Sequence, residues 1–495
     1  MDIGVLIRQS AARFGNAPAL ECEGRVVSFL EFDAATDRIG HALLAQGIEP
    51  GDRVGVMMPN GIECLAVYYA LAKAGLVRLP LNEKDTPEQN AYKIADADAR
   101  ALIHSGSVPP GGENLHFSTD SSWIDTVAWS GDTSACYVPR DPEAPYRLGY
   151  TGGTTGMPKA VTLTMRGEHA EVANFLMDLM PDIGPADTML HAAPIIHASG
   201  AFFLPAFSRG ARSVIMKKFD AVAWLAEIER SRASYSFLVP TMIALVLDVH
   251  GVEDVDTSSL RRLCWGASPI PPSVAERAQK VFGKVLAQTF GQSEAPMAIT
   301  VLQPDEHDRV GSAGRAYTLM EVRVQDDEGN FLPTGEVGEV VTRGQLLMKG
   351  YWKRPDLTEK TIIDGWLHTG DLGYVDAEGF VYLVDRKNDM IISGGSNVYP
   401  REVEDVLNAH PAVREAAVVG IPDDTWGEVV HAVVACRSET TPEDIMAFVA
   451  ERLPRYKKPR SVVIWPELPK SPAGKILRRT VREQEIERLS GAGSL

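Results

Sequence analysis

The chain has 495 residues, 45% of them apolar and 23% charged, with a formal net charge of −17. That length is too great for one hydrophobic core and predicts two or three domains. The composition excludes a disordered chain, and the acidic balance argues against nonspecific nucleic-acid binding. Five scattered cysteines (22, 64, 136, 264 and 436) with no CxxC or Cys/His pairing exclude a disulfide framework or zinc site and fit a cytoplasmic setting.

The first residues, Met1 to Arg8, read as a helix start capped by Asp2 rather than a signal peptide. Apolar stretches near 64–76 and 195–207 are broken by Lys73, Gly200 and Pro205, so no segment reaches membrane-spanning length and no integral membrane association is expected. Helical patterns at 29–46, 61–74, 221–231 and 272–281 alternate with short apolar strands at 53–58, 101–104, 212–216 and 235–239. This alternation predicts stacked α/β layers. Around 320–345 the pattern becomes strand-rich and Gly-punctuated, which predicts a small β subdomain. Residues 373–384 read as a hairpin around an Asp/Gly turn, followed by the charge cluster Asp385-Arg386-Lys387-Asn388-Asp389. Beyond it, a helix at 400–409, strands at 416–420 and 431–436 and a helix at 442–453 predict a compact α/β unit. That last helix should open on a box-like start of Thr441, Pro442 and Asp444. A domain boundary is expected near 386–389. Between 451 and 480 nine Lys/Arg stand against two Glu, a locally basic stretch suited to a small polyanion or to solvent.

The densest chemistry lies at 150–161, Tyr-Thr-Gly-Gly-Thr-Thr-Gly-Met-Pro-Lys-Ala-Val. Glycines 152, 153 and 156 permit close backbone approach, Thr151, Thr154 and Thr155 offer hydroxyls, and Lys159 offers a mobile charge suited to phosphate. The spacing is not that of a Walker A loop, so nucleotide phosphates are indicated without a P-loop ATPase; a Gly/Thr hairpin that binds nothing is the bland alternative. Four further segments follow. In Gln288 to Glu294 a hydroxyl and a carboxylate follow a Gly-containing turn, which suits a metal–nucleotide ligand. Asp371, in Trp366-Leu-His-Thr-Gly-Asp-Leu372, could accept both hydroxyls of a ribose or form a plain Asx turn. Arg386 could meet the same sugar or pair with an acid. Lys475 sits on a Gly-Lys loop in Lys470-Ser-Pro-Ala-Gly-Lys-Ile-Leu-Arg-Arg479.

In this order the segments TGGTTGMPK, FGQSE, GYW with WLHTGDLG, DRKNDMIISGGSNVYPREVE and PKSPAGKILRR make the chain resemble, over essentially its whole length, the acyl-CoA synthetases of the AMP-forming, adenylate-forming ligase superfamily. The resemblance implies a multidomain α/β protein: a large N-terminal domain of stacked α/β sheets with a β subdomain (1–386), a hinge (387–389) and a small mobile α+β C-terminal domain (390–495), with the active site between the domains. The implied substrates and cofactors are a carboxylic acid, ATP, Mg²⁺ and coenzyme A. Residues 151–159 would hold the β- and γ-phosphates, with Glu294 and Thr155 beside Mg²⁺. Gly266, Ala267, Ser268, Thr289 and Phe290, with Gly291, Gln292 and Ser293 of the same motif, would surround adenine and the acyl group. Asp371, assisted by Arg386, would take the ribose. Lys475 would touch both the substrate carboxylate and the α-phosphate, and with Glu294 and Lys159 would be catalytic. Gly394, Gly395 and Trp426 would line the coenzyme A channel, and Asn388 would be the pivot.

The chain departs from the family pattern at Asp385, where Gly is frequent, at Asn388, where Asp or Lys is common, and at Gly152, where Ser is frequent. The apolar, kinked segment Met189 to Leu204 is the expected wall of the acid pocket, with His197, Ala198 and Phe202, extended by Phe203 and joined by Gly266 and Met297. It contains no Arg or Lys for a second carboxylate, although Arg209 and Arg212 just beyond it leave a dicarboxylate open; a fatty or aromatic monocarboxylate is favoured. Loading of a free-standing carrier protein is the enzymatic alternative, and a noncatalytic adenylate sensor is the alternative of another class. A homodimer is compatible with the sequence.

Overall fold

Strands and helices alternate through the first three hundred residues and build two sheets, as the hydrophobic pattern predicts. The computed structural model describes residues 2–106, 115–118, 123–151, 158–387, 389–393, 396–423, 425–470 and 476–492. The chain divides into two compact units, Met1–Val322 with Thr342–Leu367, and Arg323–Val341 with His368–Leu495.

In the first unit one sheet runs Gly350–Tyr351, Lys159–Thr164, Pro145–Thr151, Val77–Pro80, Arg53–Met57, Ala99–His104 and Leu115–Ser118. A second set of strands is parallel at its centre, from Pro18–Cys22 through Arg212–Ile215, Thr188–His191, Tyr235–Leu238 and Arg262–Gly266 to Leu286–Gln292. Antiparallel neighbours flank it, Arg25–Ser28 on one side and Ala295–Leu302 with Ser312–Ala316 on the other. Helix starts obey local chemistry: Asp2 accepts from Gly4 N at 2.7 Å, and Ser28 with Glu31 forms a reciprocal capping box.

Helix Ile62–Lys73 is buried along almost its whole surface. Lys73, which reads in sequence as an interruption of an apolar run, is itself fully buried, with Nζ 2.5 Å from Asp33 Oδ1 and 2.9 Å from Asp37 Oδ1. Two carboxylates thus compensate one desolvated ammonium, the condition under which a charge survives in a core.

Met320–Gln325, Gly338–Gly344, Trp366–Val375 and Phe380–Arg386 lie side by side in that order; the second unit holds the first from Arg323, the second up to Val341 and the third from His368. The following sheet runs Ser396–Val398, Ile391–Ser393, Gly427–Cys436 and Val413–Asp423, with Ser461–Ile464 parallel to Gly427–Cys436. Its period-2 pattern sends Ala416 and Val418 to one core with Val403, Leu407, Ile445 and Val449, and Ala417, Val419 and Ile421 to another with Leu468 and Val481. Helices therefore cover both faces.

Three differences from expectation have physical causes. The helix expected over 442–453 ends at Ala450, because Pro454 bars helical geometry just before it. Thr441 Oγ1 accepts from Asp444 N at 3.2 Å, but Asp444 is shorter than the Glu or Gln of a full box and only the first bond forms. The division between the compact units leaves the expected 387–389 boundary inside the second unit. Asp385 Oδ2 accepts from Arg401 N at 2.7 Å, and Asp385 Oδ1 lies 3.1 Å from Arg478 Nη1, which ties the hairpin to the residues after it.

Candidate active site

The glycine-rich loop closes a hairpin. Pro145–Thr151 and Lys159–Thr164 are antiparallel, with Thr151 opposite Lys159 at the neck and Thr151 Oγ1 donating to Lys159 O at 3.4 Å. Gly152, Gly153, Thr154, Thr155 and Gly156 lie outside the described residues. Lys159 stands 4.1 Å from the ring centroid of Tyr351, whose strand pairs with its own. The Tyr351 hydroxyl donates to Glu294 Oε1 at 2.6 Å, and Glu294 O accepts from Met348 N at 2.8 Å. Burial, reinforced by the Glu294 carboxylate, pushes the Tyr351 hydroxyl well above its ordinary pKa, so it stays a donor. One aromatic side chain thus holds a cation and an anion at fixed places beside the loop. Glu294 Oε2 accepts no hydrogen bond among the described residues.

This arrangement makes Tyr351 separable by substitution. Tyr351→Phe keeps the ring under Lys159 and frees Glu294, whereas Tyr351→Leu removes both supports. Expected is a KM for ATP raised more by Leu than by Phe, by about threefold or more for a contact of the size of a cation–π pair. Steady-state kinetics of both variants check it.

Beside this group, Gly266 pairs with Thr289, and a Cβ at Gly266 would overlap the Thr289 carbonyl oxygen. Thr289 Oγ1 donates to Met297 O and lies 3.0 Å from the Tyr317 hydroxyl. A Cβ at Gly291 would meet the Met297 backbone. Ala267 (φ 70°) and Met297 (φ 55°) both occupy the left-handed region, strain of about 1–3 kcal/mol each that packed neighbours must hold. Phe290 and Gln292 are half-buried on the same strand, while Ser268 follows Ala267 and Ser293 precedes Glu294. Gly266→Ala should therefore push two paired strands apart and lower stability by about 1–3 kcal/mol, checked by denaturant unfolding.

In the expected acid pocket, His197 is solvent-accessible and Ala198 half-buried, and His197 Nε2 lies 3.2 Å from Asn82 Nδ2. Phe202 is fully buried between Phe175 and Phe237, with ring centroids 4.9 and 5.2 Å away, so it backs the segment from the core. Phe203 joins a separate cluster with Phe32, Tyr69 and Phe207 instead of extending the wall, because consecutive side chains on a helical turn diverge. His191 ties the segment down: its Nδ1 is 3.1 Å from Ser199 O and its Nε2 is 3.3 Å from Ser213 Oγ, and burial pushes it down to about 4, hence neutral.

In the second unit, Asp371 and Arg386 face each other across the hairpin, with Arg386 Nε 2.6 Å from Asp371 Oδ1. Asp371 N donates to Thr369 Oγ1 at 3.1 Å, and Thr369 Oγ1 donates to Val340 O at 2.6 Å, so the carboxylate sits on a braced turn. Trp426 is exposed, with Arg460 5.7 Å from its ring centroid and Asp423 Oδ1 accepting from its N at 2.9 Å. Asn388, Gly394, Gly395 and Lys475 lie outside the described residues. Tyr351, Asn82 and Thr369 were not singled out by sequence reasoning. Tyr351 stands in the quoted GYW segment, and that is the one signal that could have found it.

Residues 7–352 match a family model described as AMP-binding enzyme, and residues 402–475 match the AMP-binding enzyme C-terminal domain. The chain is 34% identical over 484 residues to a fatty acid–[acyl-carrier-protein] ligase of Streptomyces coeruleorubidus, covering 94% of this chain and 93% of that one. It is 35% identical over 477 residues to a feruloyl-CoA synthase of an Amycolatopsis species, covering 95% and 96%. Among solved structures, o-succinylbenzoate CoA synthetase from Bacillus subtilis, in complex with its acyl-adenylate intermediate, superposes with a TM-score of 0.88 at 29% identity, covering 96% of this chain and 97% of that one. With both domains matched in order, the chain belongs to the AMP-binding enzyme family, as an AMP-forming acyl-CoA synthetase.

Proposed function

We propose that the protein activates a fatty or aromatic monocarboxylic acid in two steps. The acid's carboxylate oxygen attacks the α-phosphorus of ATP, the bond from that phosphorus to the bridging oxygen breaks, and pyrophosphate leaves. The thiol of coenzyme A then attacks the acyl carbonyl of the adenylate, loses its proton, and AMP departs. A carboxylate by itself has only an oxide to expel; the adenylate supplies a good leaving group. The observation that carries this reading is the Lys159–Tyr351–Glu294 group at the neck of the glycine-rich loop, a cation and a carboxylate held close together as a phosphate and its counterion would require.

Thr151 and Lys159, with the loop they bracket, hold the pyrophosphate end. Asp371 accepts from the ribose, and Arg386, half-exposed beside it, orients that carboxylate. Glu294 offers a hard oxygen that suits magnesium, and Thr155 a hydroxyl; such an ion keeps few protein ligands and shares the phosphates. When bound, magnesium neutralises phosphate charge. Lys475 contributes the charge at the α-phosphate. Trp426 and Arg460 with Gly394 and Gly395 serve the coenzyme. No Ser-His-Asp triad is needed, since catalysis here is positioning and charge compensation.

Among the described residues no helix is long and apolar enough to cross a membrane. The similarity to a carrier-protein ligase supports a second reading in which the thiol belongs to a free-standing carrier. A panel of carboxylic acids with ATP and coenzyme A, read as AMP release, tests the proposal, and replacing coenzyme A by a carrier protein that bears a free thiol separates the two. Absence of acid-dependent pyrophosphate exchange across fatty and aromatic acids would sink it.

A further inference from the structure

We infer that Asn82 is a positioning residue that fixes His197 as the Nδ1–H tautomer, so that a neutral imidazole meets the acid's carboxylate as a hydrogen-bond donor. The inference rests on the proposed acid-activating function.

Asn82 follows the strand Val77–Pro80 and is held on two sides. Its main-chain oxygen accepts from Asn90 Nδ2 at 2.9 Å. Its Oδ1 accepts from Lys84 N at 3.0 Å in an Asx turn, which fixes the amide orientation and leaves Nδ2 facing His197 Nε2 at 3.2 Å. An amide nitrogen can only donate, so Nε2 must present its lone pair. A neutral imidazole has one ring proton, which is therefore on Nδ1. Nδ1 has no hydrogen-bond partner among the described residues.

Although part of the His197 ring is open to solvent, the protein atoms around it hold its pKa below its ordinary value, chiefly by desolvation; Asp85 opposes this, and Lys93 and Lys84 assist it. Asp85 is itself engaged by Lys93 at 2.5 Å, so its pull on the ring is offset. The chemistry calls for this state. A neutral donor on one carboxylate oxygen orients the acid while the other oxygen keeps its lone pair for phosphorus. An imidazolium would stabilise the ground-state anion and blunt the nucleophile.

Asn82→Asp tests the inference, because aspartate preserves the Asx turn through Lys84 N but offers Nε2 only an acceptor. In the resting wild-type protein, ¹⁵N NMR of histidine-labelled enzyme, assigned through His197→Gln, should show Nδ1 protonated and Nε2 bare at neutral pH. The variant should show Nε2 protonated with a raised imidazole pKa. Its acid-dependent pyrophosphate exchange should fall about tenfold or more in kcat, with KM for ATP unchanged and the pH profile displaced. A wild-type spectrum with the proton on Nε2 would overturn the inference, as would lost exchange with an unchanged tautomer, or wild-type kinetics in the variant. The spectrum is read without substrate, so a protein that activates no carboxylic acid would refute the function while the tautomer remained measurable.

Discussion

Lys475→Ala should lower acyl-adenylate formation by about 10²–10³-fold or more while leaving thioester formation from preformed adenylate near its wild-type rate. Adenylation brings a carboxylate against a phosphate that is already anionic, so the loss of one cation at the reacting phosphorus falls on that step. In the second step a thiol attacks a neutral carbonyl, so no anion has to approach the phosphorus, and the charge that returns to the phosphate does so only as AMP departs. The lysine lies on a loop whose neck is well anchored: Lys470 bridges to Ile476, Leu477 N donates to Pro469 O at 2.9 Å, and Lys470 Nζ lies 2.6 Å from Glu415 Oε2. A substitution between such fixed ends should cost little stability, which keeps the kinetic readout clean. Pyrophosphate exchange measures the first half-reaction, and coenzyme A consumption from synthetic adenylate measures the second. Equal loss of both would remove Lys475 from the role given to it here.

The parts of the molecule that were legible in the sequence are those set by local rules. Asp371 and Arg386 could be brought to the same end of the molecule because they flank an alternating hairpin with an Asp/Gly turn, but they stand opposite each other only through a register shift between Leu372 and Gly373 that the pattern does not show. The strands at 53–57, 212–215 and 235–238 and the helix at 221–231 followed from period and length. What escaped were side chains whose meaning comes from a distant partner. Lys73 looks like a break in an apolar run until Asp33 and Asp37, on the preceding helix, are packed against it. Tyr351 acquires its role only when a two-residue strand pairs beside Lys159 and brings Glu294 within a hydrogen bond. Phe202 and Phe203 share one apolar segment, and only the packed structure sends them to different cores. Asp385, read as a departure from the family pattern, proves to be a buried acceptor for Arg401 N and a partner of Arg478.

That last cluster carries the largest expected effect on stability. Arg478 reaches three carboxylates at once: Glu404 at 2.5 Å through Nη2, and Asp385 and Asp389 each at 3.1 Å through Nη1. Asp385 precedes the expected pivot Asn388 and Asp389 follows it, so one guanidinium staples both sides. Arg478→Met keeps much of the packing volume but strands Glu404, whose carboxyl burial already holds above its ordinary pKa despite the guanidinium. Because the arginine side chain keeps a fifth of its surface exposed, the loss should sit near the low end for a buried pair, about 3 kcal/mol. The pH dependence has a definite sign. A carboxyl whose folded pKa lies above its unfolded value weakens folding as pH rises through that range, and without Arg478 the Glu404 value climbs further. The deficit of the variant against wild type should therefore be greatest at neutral to alkaline pH and shrink as pH falls through the raised range of the Glu404 carboxyl, which is then protonated in the folded state. Arg478→Lys should rescue only part, since an ammonium cannot bridge three acceptors as a planar fork does. Denaturant unfolding of wild type and both variants at several pH values measures this; a deficit that is flat with pH, or full rescue by lysine, would show that the fork is not what holds these carboxylates. If the staple also biases rotation at the expected pivot Asn388, Arg478→Lys should change the ratio of the two half-reaction rates without changing KM for ATP.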